Sequence, residues 1–413
     1  MAFHYKNGEL YVENVKVEEI AKEVGTPLYI YSKAHFVEQF NKFDKAFTRE
    51  HTISFAVKAN SNLAVINVFA KLGAGADIVS KGELFRALKA KVDPKKIVFS
   101  GVAKRDDEIE YAIENDIMMI NVESEDELEA VNRVAQKLSK KARIALRVNP
   151  DVDPKTHPYI STGLKKNKFG VPHNEAFDLY LKAKDLPNIE IYGIQFHIGS
   201  QLLDTKPIYD ASVKIAELMK ALSDKGVEFK VVDVGGGVGI VYNEEEDKEP
   251  SIDNYAKQVE EAFKDFDVKL VFEPGRFLVG NGGILVSKVI YHKTNGDKKF
   301  LIVDAGMNDL LRPSLYNAYH KIAPTTKQGR EEIVCDIVGP ICETGDFFGR
   351  DYRIEDVPNG GYIAVFSAGA YGFTMASNYN SRPRPAEVLV DGDSFKVVRK
   401  RETLEDLIKG ETI

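Results

Sequence analysis

The sequence predicts an α/β fold in two parts, a (β/α)8 barrel and a second, all-β domain. The chain has 413 residues, which is too many for one ordinary hydrophobic core. From residue 53 to about residue 280, eight apolar segments alternate with amphipathic ones, as strands and helices do in such a barrel. After that point, β-rich runs separated by Gly, Asn and Asp turns replace the alternation. A doubly wound sheet is the alternative for the first part, but it would usually need fewer strands.

The predicted barrel strands are short apolar runs. They are ISFAV (53–57), ADIV (76–79), KIVFS (96–100), IMMIN (117–121), RIALRVN (143–149), EIYGIQFH (190–197), KVVDVG (230–235) and KLVFEP (269–274). The clearest amphipathic stretches between them are 81–90, 124–138, 207–222 and 252–263. The first helix should begin after ISFAVKAN, with Ser61 or Asn62 as its N-cap.

The predicted domain boundaries follow from this change of pattern. We expect the barrel to occupy residues 35–280. The β domain should comprise residues 281–413 together with 1–34, because the barrel already has its eight strands without the early segment. That early segment holds two strand-like pieces, FHYKNGELYV with a turn at Asn7-Gly8, and TPLYIYS.

Charge and cysteine content limit the classes of function. With 56 Lys and Arg against 63 Asp and Glu, the net charge is −7, so the sequence predicts no nucleic-acid partner and no anionic membrane partner. No stretch approaches the ~18 apolar residues that span a bilayer, and the N-terminus has no apolar signal region. The two cysteines, Cys335 and Cys342, have no metal-ligand spacing, so no metal site is predicted. A cytoplasmic location is expected.

Chemically reactive residue types collect at the predicted C-terminal ends of the barrel strands, where such barrels place their active sites. They are Lys58 after the first strand, His197 after the sixth, Gly235, Gly236 and Gly237 after the seventh, and Glu273, Gly275 and Arg276 after the eighth. We therefore expect these four clusters on one rim of the barrel.

Lys58 is the residue around which this rim is organised. Desolvation at the end of an apolar strand favours the neutral amine, which can form a Schiff base with an aldehyde. The alternative is a lysine whose ammonium simply reaches solvent.

The glycine-bearing turns after the last two strands leave backbone N–H groups that can surround a phosphate. Turn geometry alone would also explain them. A dinucleotide fingerprint is excluded, because Ile240 stands where G-x-G-x-x-G needs its last glycine. A phosphate site, a reactive lysine, a ring from His197 and a carboxylate from Glu273 together describe a pyridoxal phosphate pocket. There Glu273 would pair with the pyridine nitrogen, and His197 would lie against the ring.

Six motifs in this order, FAVKAN, HIGS, DVGGG, EPGR, GPICETGD and GAYG, resemble those of fold-type III pyridoxal-phosphate decarboxylases. The set is most similar to the diaminopimelate decarboxylases, over nearly the whole chain. The resemblance implies a barrel of the alanine-racemase type with a Greek-key-like β domain. It also implies a carboxy-lyase that converts meso-2,6-diaminopimelate to L-lysine and CO2, the last step of lysine biosynthesis by that route.

Other relatives remain as alternatives. One is a related decarboxylase of ornithine, arginine or carboxynorspermidine. A regulatory or cofactor-carrying relative fits less well, because Lys58, Cys342 and Glu343 are all present. An alanine racemase would need a tyrosine base from the β domain and has no use for Arg312.

By the same resemblance, the β domain completes the active site across a homodimer interface, where Cys342 and Glu343 would reach into the partner's pocket. Cys342 would be the proton donor; without the motif, a small buried thiol is the plainer interpretation. Ser200 would add a phosphate contact, and Tyr371 would touch the phosphate or the substrate.

The implied substrate residues suit the distal amino-acid end of diaminopimelate. Arg276 and Arg312 offer paired N–H donors to a carboxylate, Tyr316 adds a hydroxyl, and Glu343 suits the ammonium. Ornithine-type relatives typically carry Asp after the cysteine and lack the RPSLY arginine. The segment STGLKKNKFG (161–170) is similar to the mobile loop of the family.

Overall fold

The chain divides into two compact units in the computed structural model, which describes residues 2–153 and 167–413. We call them the β unit, which is Met1–Gln39, Val241–Asp247 and Leu278–Ile413, and the barrel unit, which is Phe40–Ile240 and Lys248–Phe277. Residues 161–166 of the predicted loop segment lie outside the described residues. Within the described ranges, every helix is too short or too polar to cross a membrane.

Strands and helices alternate along most of the chain. The strands are β1 (Phe3–Lys6), β2 (Glu9–Val12), β3 (Val15–Lys16), β4 (Leu28–Ser32), β5 (His51–Ala56), β6 (Gly75–Ile78), β7 (Ile97–Phe99), β8 (Met119–Val122), β9 (Ala142–Asn149), β10 (Val171–Pro172), β11 (Ile189–Gln195), β12 (Val231–Asp233), β13 (Lys269–Phe272), β14 (Gly283–Asn295), β15 (Lys298–Val303), β16 (Ile322–Pro324), β17 (Glu332–Val338), β18 (Phe347–Glu355), β19 (Tyr362–Val365), β20 (Ala386–Asp391) and β21 (Ser394–Arg399). The helices are α1 (Val17–Val24), α2 (Lys33–Asp44), α3 (Leu63–Lys71), α4 (Lys81–Lys89), α5 (Asp106–Glu114), α6 (Glu125–Lys137), α7 (His173–Asp185), α8 (Lys206–Ser223), α9 (Ile252–Ala262), α10 (Arg276–Val279), α11 (Arg312–Tyr316) and α12 (Leu404–Leu407).

The barrel unit is a closed ring of eight parallel strands. Their order is β5-β6-β7-β8-β9-β11-β12-β13, and β13 pairs with β5 to close the ring. The two-residue β10 adds a parallel pairing to β9 beside this ring. The (β/α)8 barrel predicted from the sequence is therefore confirmed, and each of the eight predicted apolar runs overlaps one of its strands.

Polar caps fix where several barrel helices begin. The side chains of Asn62, Ser80, Ser124 and Ser251 accept backbone N–H groups in the first turns of α3, α4, α6 and α9. Such a cap stabilises a helix by about 1 kcal/mol. Because α3, α4 and α6 begin only a few residues after the preceding strands, the caps also locate the C-terminal ends of those strands.

The interior of the barrel changes from apolar to polar along the strand direction. A buried apolar cluster comprises Val98, Met118, Met119, Ala145, Val231 and Val271. Side chains two residues apart on a strand share a face, and two positions beyond four members of this cluster come Ser100, Asn121, Asp233 and Glu273. The apolar layer thus supports a layer of buried polar groups at the C-terminal rim.

The β unit is mostly sheet. Its larger sheet has the order β18-β17-β15-β14-β4-β20-β21, with β19 on β14 and β16 on β19. The N-terminal segment contributes β4, which lies between β14 and β20, and a separate antiparallel sheet β1-β2-β3. A single apolar cluster joins both sheets to α1, with members such as Val12, Ile20, Ile30, Val286 and Val388. The unit also carries short helices, of which α1 is the longest that lies wholly within it.

Candidate active site

Lys58 lies in a single helical turn, Val57–Ala59, directly after β5. Its Nζ is 2.5 Å from Oδ2 of Asp77, a fully buried carboxylate on β6. The parallel register pairs Asp77 with Ala56, two residues before the lysine. The Lys58 side chain keeps about a third of its surface exposed (37%). The buried Asp77 carboxylate therefore positions the Lys58 amine, which remains accessible at the rim.

Two buried carboxyl groups, Asp233 and Glu273, are hydrogen-bonded to each other beside this amine. Asn121 Nδ2 donates to Asp233 Oδ2 at 3.3 Å and to Glu273 Oε1 at 3.4 Å, and the Ser100 hydroxyl also donates to Glu273 Oε1 at 3.4 Å. Burial and, to a smaller extent, the charge of Asp77 raise the pKa of Asp233 to about 7. Burial, followed by the charges of Asp233 and Asp77, holds the pKa of Glu273 well above its usual range. The pair therefore retains a proton near neutral pH.

His197 is a neutral ring in this environment. The Gly236 N–H donates to its Nδ1 at 3.2 Å, so the ring proton is on Nε2. Burial lowers the pKa of His197 well below its usual range, and the charges of Arg147 and Lys58 lower it further. A neutral imidazole can lie against another ring without placing a desolvated charge there.

The turn after β12 is built around its glycines. Gly235 and Gly237 have φ of +71° and +115°, which side-chain-bearing residues rarely adopt. A Cβ on Gly236 would lie 2.3 Å from the carbonyl oxygen of Glu273. Leu202 N–H donates to the Gly237 carbonyl at 2.9 Å, so the loop after β11 is pinned to this turn.

Ser200 and Arg276 meet beside the same turn. Arg276 Nη2 donates to Ser200 Oγ at 3.1 Å, and the Arg276 side chain is buried at the start of α10. A Cβ on Gly275 would lie 2.9 Å from Cβ of Ala59, so the turn after β13 packs closely on the turn that carries Lys58. A hydroxyl, a guanidinium and backbone N–H groups thus converge at one end of the rim.

Arg312 is buried in the β unit within a group of rings that we call the Arg312 cage: Tyr242, Tyr316 and His320. Arg312 Nε lies 3.3 Å from His320 Nε2. Its guanidinium carbon is 4.9 Å from the Tyr242 ring centroid and 5.9 Å from that of Tyr316. Arg312 and Tyr316, both predicted as substrate residues, are therefore neighbours, while Tyr242 and His320 were not predicted.

The other predicted residues of the β unit lie on turns. Cys342 and Glu343 are exposed. Cys342 N–H donates to Asn380 Oδ1, and the Tyr379 hydroxyl donates to Glu343 Oε2, both at 2.8 Å. Tyr371 has φ +55°, a left-handed conformation that is unfavourable for a bulky residue and that clusters at functional sites.

The structure brings one part of the predicted set together within a single unit. Lys58, His197, Ser200, Gly235, Gly236, Gly237, Glu273, Gly275 and Arg276 all belong to the barrel unit. Arg312, Tyr316, Cys342, Glu343 and Tyr371 belong to the β unit. Sequence reasoning missed Ser100, Asn121, Asp77 and Asp233. Each of these residues is polar and lies in one of the predicted apolar runs. Burying a polar side chain there is costly unless it has a hydrogen-bond partner, and this was the available signal.

The barrel rim fits pyridoxal 5′-phosphate in three respects. The lysine amine is exposed enough to react. The glycine turn with Ser200 and Arg276 has the donors that a phosphate requires. Asp233 and Glu273 are two buried carboxyl groups whose negative charge is costly there. The positive charge of a protonated ring nitrogen would offset that cost.

Comparisons with known proteins agree with this chemistry. Residues 33–280 match the family model described as pyridoxal-dependent decarboxylase, pyridoxal binding domain. The chain is 51% identical to diaminopimelate decarboxylase of Aquifex aeolicus, over 98% of this chain and 96% of that protein. It is 50% identical to the Haemophilus influenzae enzyme of the same name, over 98% of each chain.

A crystal structure of Helicobacter pylori diaminopimelate decarboxylase complexed with L-lysine superposes with a TM-score of 0.92 at 46% identity. The match covers 95% of this chain and 98% of that one. The chain therefore belongs to the diaminopimelate decarboxylases, a family of pyridoxal-dependent decarboxylases.

Proposed function

We propose that this protein decarboxylates meso-2,6-diaminopimelate to L-lysine and CO2 with pyridoxal 5′-phosphate as cofactor, the last step of lysine biosynthesis by this route. The names of its relatives and the L-lysine in the Helicobacter pylori complex support this activity. The observation that carries the proposal is the rim geometry, in which Lys58 lies 2.5 Å from a buried carboxylate beside the proton-retaining pair of Asp233 and Glu273.

The barrel unit would hold the cofactor. Lys58 Nζ would bind its aldehyde carbon, Glu273 its ring nitrogen and His197 one face of its ring, while Ser200, Gly235, Gly236, Gly237, Gly275 and Arg276 would surround its phosphate. When bound, pyridoxal phosphate withdraws electrons from the α-carbon of an attached amino acid. As a carboxylate, Glu273 would keep the ring nitrogen protonated, because the positive charge would offset the burial and the neighbouring acids that otherwise disfavour ionisation of Glu273.

Cys342 would supply the proton that replaces the departing carboxylate. The bond from the α-carbon to the carboxyl carbon breaks, CO2 leaves, and Sγ of Cys342 gives its proton to the α-carbon of the D-configured centre. Solvent then returns a proton to the thiolate.

The distal end of the substrate carries a carboxylate and an ammonium. Arg276, Arg312 and Tyr316 would bind the carboxylate, Glu343 the ammonium, and Tyr371 the substrate or the cofactor phosphate. A substrate such as ornithine, which has no distal carboxylate, would leave the buried Arg312 charge without its intended partner. Sites built around a polar group reject ligands that lack it by roughly 10⁴–10⁵.

Product analysis tests the activity directly. Purified protein with pyridoxal phosphate should release one CO2 and form one L-lysine for each meso-diaminopimelate consumed. Ornithine, arginine and carboxynorspermidine supplied in the same assay should be poor substrates. An enzyme that releases no CO2 from meso-diaminopimelate, or prefers one of the three amines, would contradict the proposal.

We also infer that the protein is a homodimer with shared active sites. Residues 35–280 would bind the cofactor, and residues 1–34 and 281–413 would complete the site. Each pocket would then receive Cys342 of the partner subunit and Glu343 of the partner subunit. The exposure of both side chains on the single chain supports this arrangement.

Subunit mixing tests the shared site. The variants Lys58→Ala and Cys342→Ala should each be inactive alone. When they are unfolded together and refolded, mixed dimers of a symmetric pair regain one intact site, and about a quarter of the wild-type activity should return. No recovery in a mixture that sedimentation shows to contain mixed dimers would place both residues in the pocket of one chain.

We propose a cytoplasmic location for the enzyme. Neither Cys335 nor Cys342 forms a disulfide, which suits a reducing compartment. Cell fractionation with activity as the readout would test it, and recovery of the activity outside the cytoplasmic fraction would contradict it.

A further inference from the structure

We propose that His320 and Tyr242 are positioning residues that fix the Arg312 guanidinium for the distal carboxylate of the substrate. They would thereby set the preference for ligands that carry this carboxylate. The inference rests on the proposed function and adds two residues that do not themselves touch the reacting atoms. All three side chains lie in the β unit.

The hydrogen bonds of His320 define its tautomer. The residue is buried, and its Nδ1 lies 2.8 Å from the carbonyl oxygen of Phe366. A carbonyl oxygen only accepts, so Nδ1 carries the proton. In the neutral ring, Nε2 then has a lone pair, and it accepts from Arg312 Nε at 3.3 Å. If His320 were protonated, its Nε2–H would face the Arg312 Nε–H, and two positive charges would lie side by side. The hydrogen bond from Arg312 therefore favours the neutral imidazole.

Tyr242 restrains the same guanidinium from another direction. Its ring centroid is 4.9 Å from the Arg312 guanidinium carbon, a distance typical of a cation–π contact. It is 5.4 Å from the His320 ring, and the two ring planes are nearly perpendicular at 79°. The ring contact limits tilting of the planar guanidinium, and the Nε–H bond to His320 limits its rotation. Together they define one orientation for Arg312.

The segment that carries Tyr242 is itself held in the β unit. Asp247 Oδ2 accepts the backbone N–H groups of Tyr242 and Asn243 at 2.8 and 3.0 Å. Lys321, the residue after His320, pairs with Glu244 at 3.2 Å. The segment of Tyr242 and the segment of His320 are thus connected both through their rings and through the ion pair of Glu244 with Lys321.

This geometry has a consequence for recognition. Because the Nε–H of Arg312 is directed at His320, a ligand carboxylate would be met by the terminal Nη atoms, whose direction the cage sets. Pre-organisation of a binding group lowers the ordering cost of association. Loss of either positioning residue should therefore weaken carboxylate recognition and leave other contacts with the ligand intact.

A matched pair of inhibitors isolates this effect. Cadaverine is L-lysine without its carboxylate, so the ratio of their inhibition constants measures carboxylate recognition alone. We expect His320→Leu holoenzyme to raise the inhibition constant of L-lysine roughly 10-fold or more, as for a lost hydrogen bond to a charged group. The constant for cadaverine should stay within about twofold, and the KM for meso-diaminopimelate should rise more than kcat falls.

Conservative variants provide the controls. His320→Gln places an amide oxygen near the position of Nε2 and should restore most of the L-lysine affinity. Tyr242→Phe keeps the ring and should retain the wild-type ratio of the two inhibition constants, whereas Tyr242→Leu should weaken L-lysine binding selectively. The cofactor absorbance of each variant reports whether its barrel site is intact. If His320→Leu fails to fold, Tyr242→Leu makes the same comparison.

Two results would overturn the inference. Equal weakening of L-lysine and cadaverine would show a merely structural role, and unchanged constants for both would show that Arg312 is oriented by other groups. Failure of the proposed function looks different, because the wild-type enzyme would then not turn over meso-diaminopimelate at all.

Discussion

The two units present their functional groups in different ways. In the barrel unit, Asp233 and Glu273 are buried and cross-bonded through Asn121. In the β unit, Cys342 and Glu343 are exposed on a turn. The barrel groups therefore depend on one another for their protonation states, whereas the exposed pair is accessible to solvent and to other molecules.

This difference separates two tasks. Groups at the ends of hydrogen-bonded strands are located by the register of a closed sheet, and a rigid site of this kind suits cofactor chemistry. Groups on turns can be changed without disturbing the sheet, so they suit the selection of a substrate. The Arg312 cage is an intermediate case, since it is buried but is assembled from a short helix and a connecting segment.

Lys58→Ala tests the barrel side of this comparison and should have the largest effect. Without the amine that holds the cofactor, turnover should be abolished, and the absorbance band expected near about 420 nm for the bound cofactor should disappear. Absorbance spectra of the purified variant with added pyridoxal phosphate check this. A band of normal intensity would show that another lysine binds the cofactor.

A suitable control is Lys95→Ala. Lys95 is exposed, pairs with Asp116, and precedes β7 at the opposite end of the barrel from the rim. Its removal should leave both the band and the turnover unchanged.

Cys342→Ala tests the β-unit side and should have the next largest effect. The cofactor band should remain, because the barrel residues are intact, while turnover should fall about 10²–10⁴-fold with the loss of a general acid. Steady-state kinetics with meso-diaminopimelate measure this loss. Turnover at the wild-type rate would assign the proton to a different donor.

The second thiol provides the matched control. Cys335 lies on β17 and is buried, and burial raises its pKa to about 11. Cys335→Ala should therefore change turnover little. In the native protein, iodoacetamide should modify Cys342 and spare Cys335, which peptide mass spectrometry can confirm.

The barrel and part of its site were predictable because the signals are local. Each strand is an apolar run, and the predicted cap Asn62 begins α3. Since the C-terminal ends of barrel strands form one rim, Lys58, His197 and Glu273 could be assigned to it from their positions alone. Boundaries were less exact: the KVVDVG run was expected to extend to Gly235, but β12 ends at Asp233 because a left-handed glycine interrupts the ladder.

Partner residues were not predictable, because they depend on contacts between distant segments. The pairing of Lys58 with Asp77 requires the register between β5 and β6. Tyr242 lies 70 residues before Arg312 in the sequence, and it follows the barrel's glycine turn although it packs in the β unit. Hydrophobic periodicity contains no information about either contact.

Asp233→Asn should have the smallest effect of the three substitutions, and it appears most clearly in the cofactor-free protein. The folded pKa of Asp233 is about 7, above its unfolded value of about 3.9. A raised carboxyl pKa stabilises the fold fully below the unfolded pKa, and this contribution is lost as the pH rises through the folded pKa. The free energy of unfolding of the wild-type protein should therefore decrease between about pH 4 and about pH 7, and that of the variant should decrease less.

Urea unfolding of the cofactor-free proteins across this range measures the difference. Asp116→Asn is the control of opposite sign, because hydrogen bonds from Lys95 and then Arg143 hold the pKa of Asp116 below its usual range. Its stabilising contribution is present above the unfolded pKa and is lost only as the pH falls below about 4. If Asp233→Asn kept the wild-type slope near neutral pH, the shared proton would reside on Glu273 alone. Glu273 would then be the proton donor of the pair, and Asp233 its ionised acceptor.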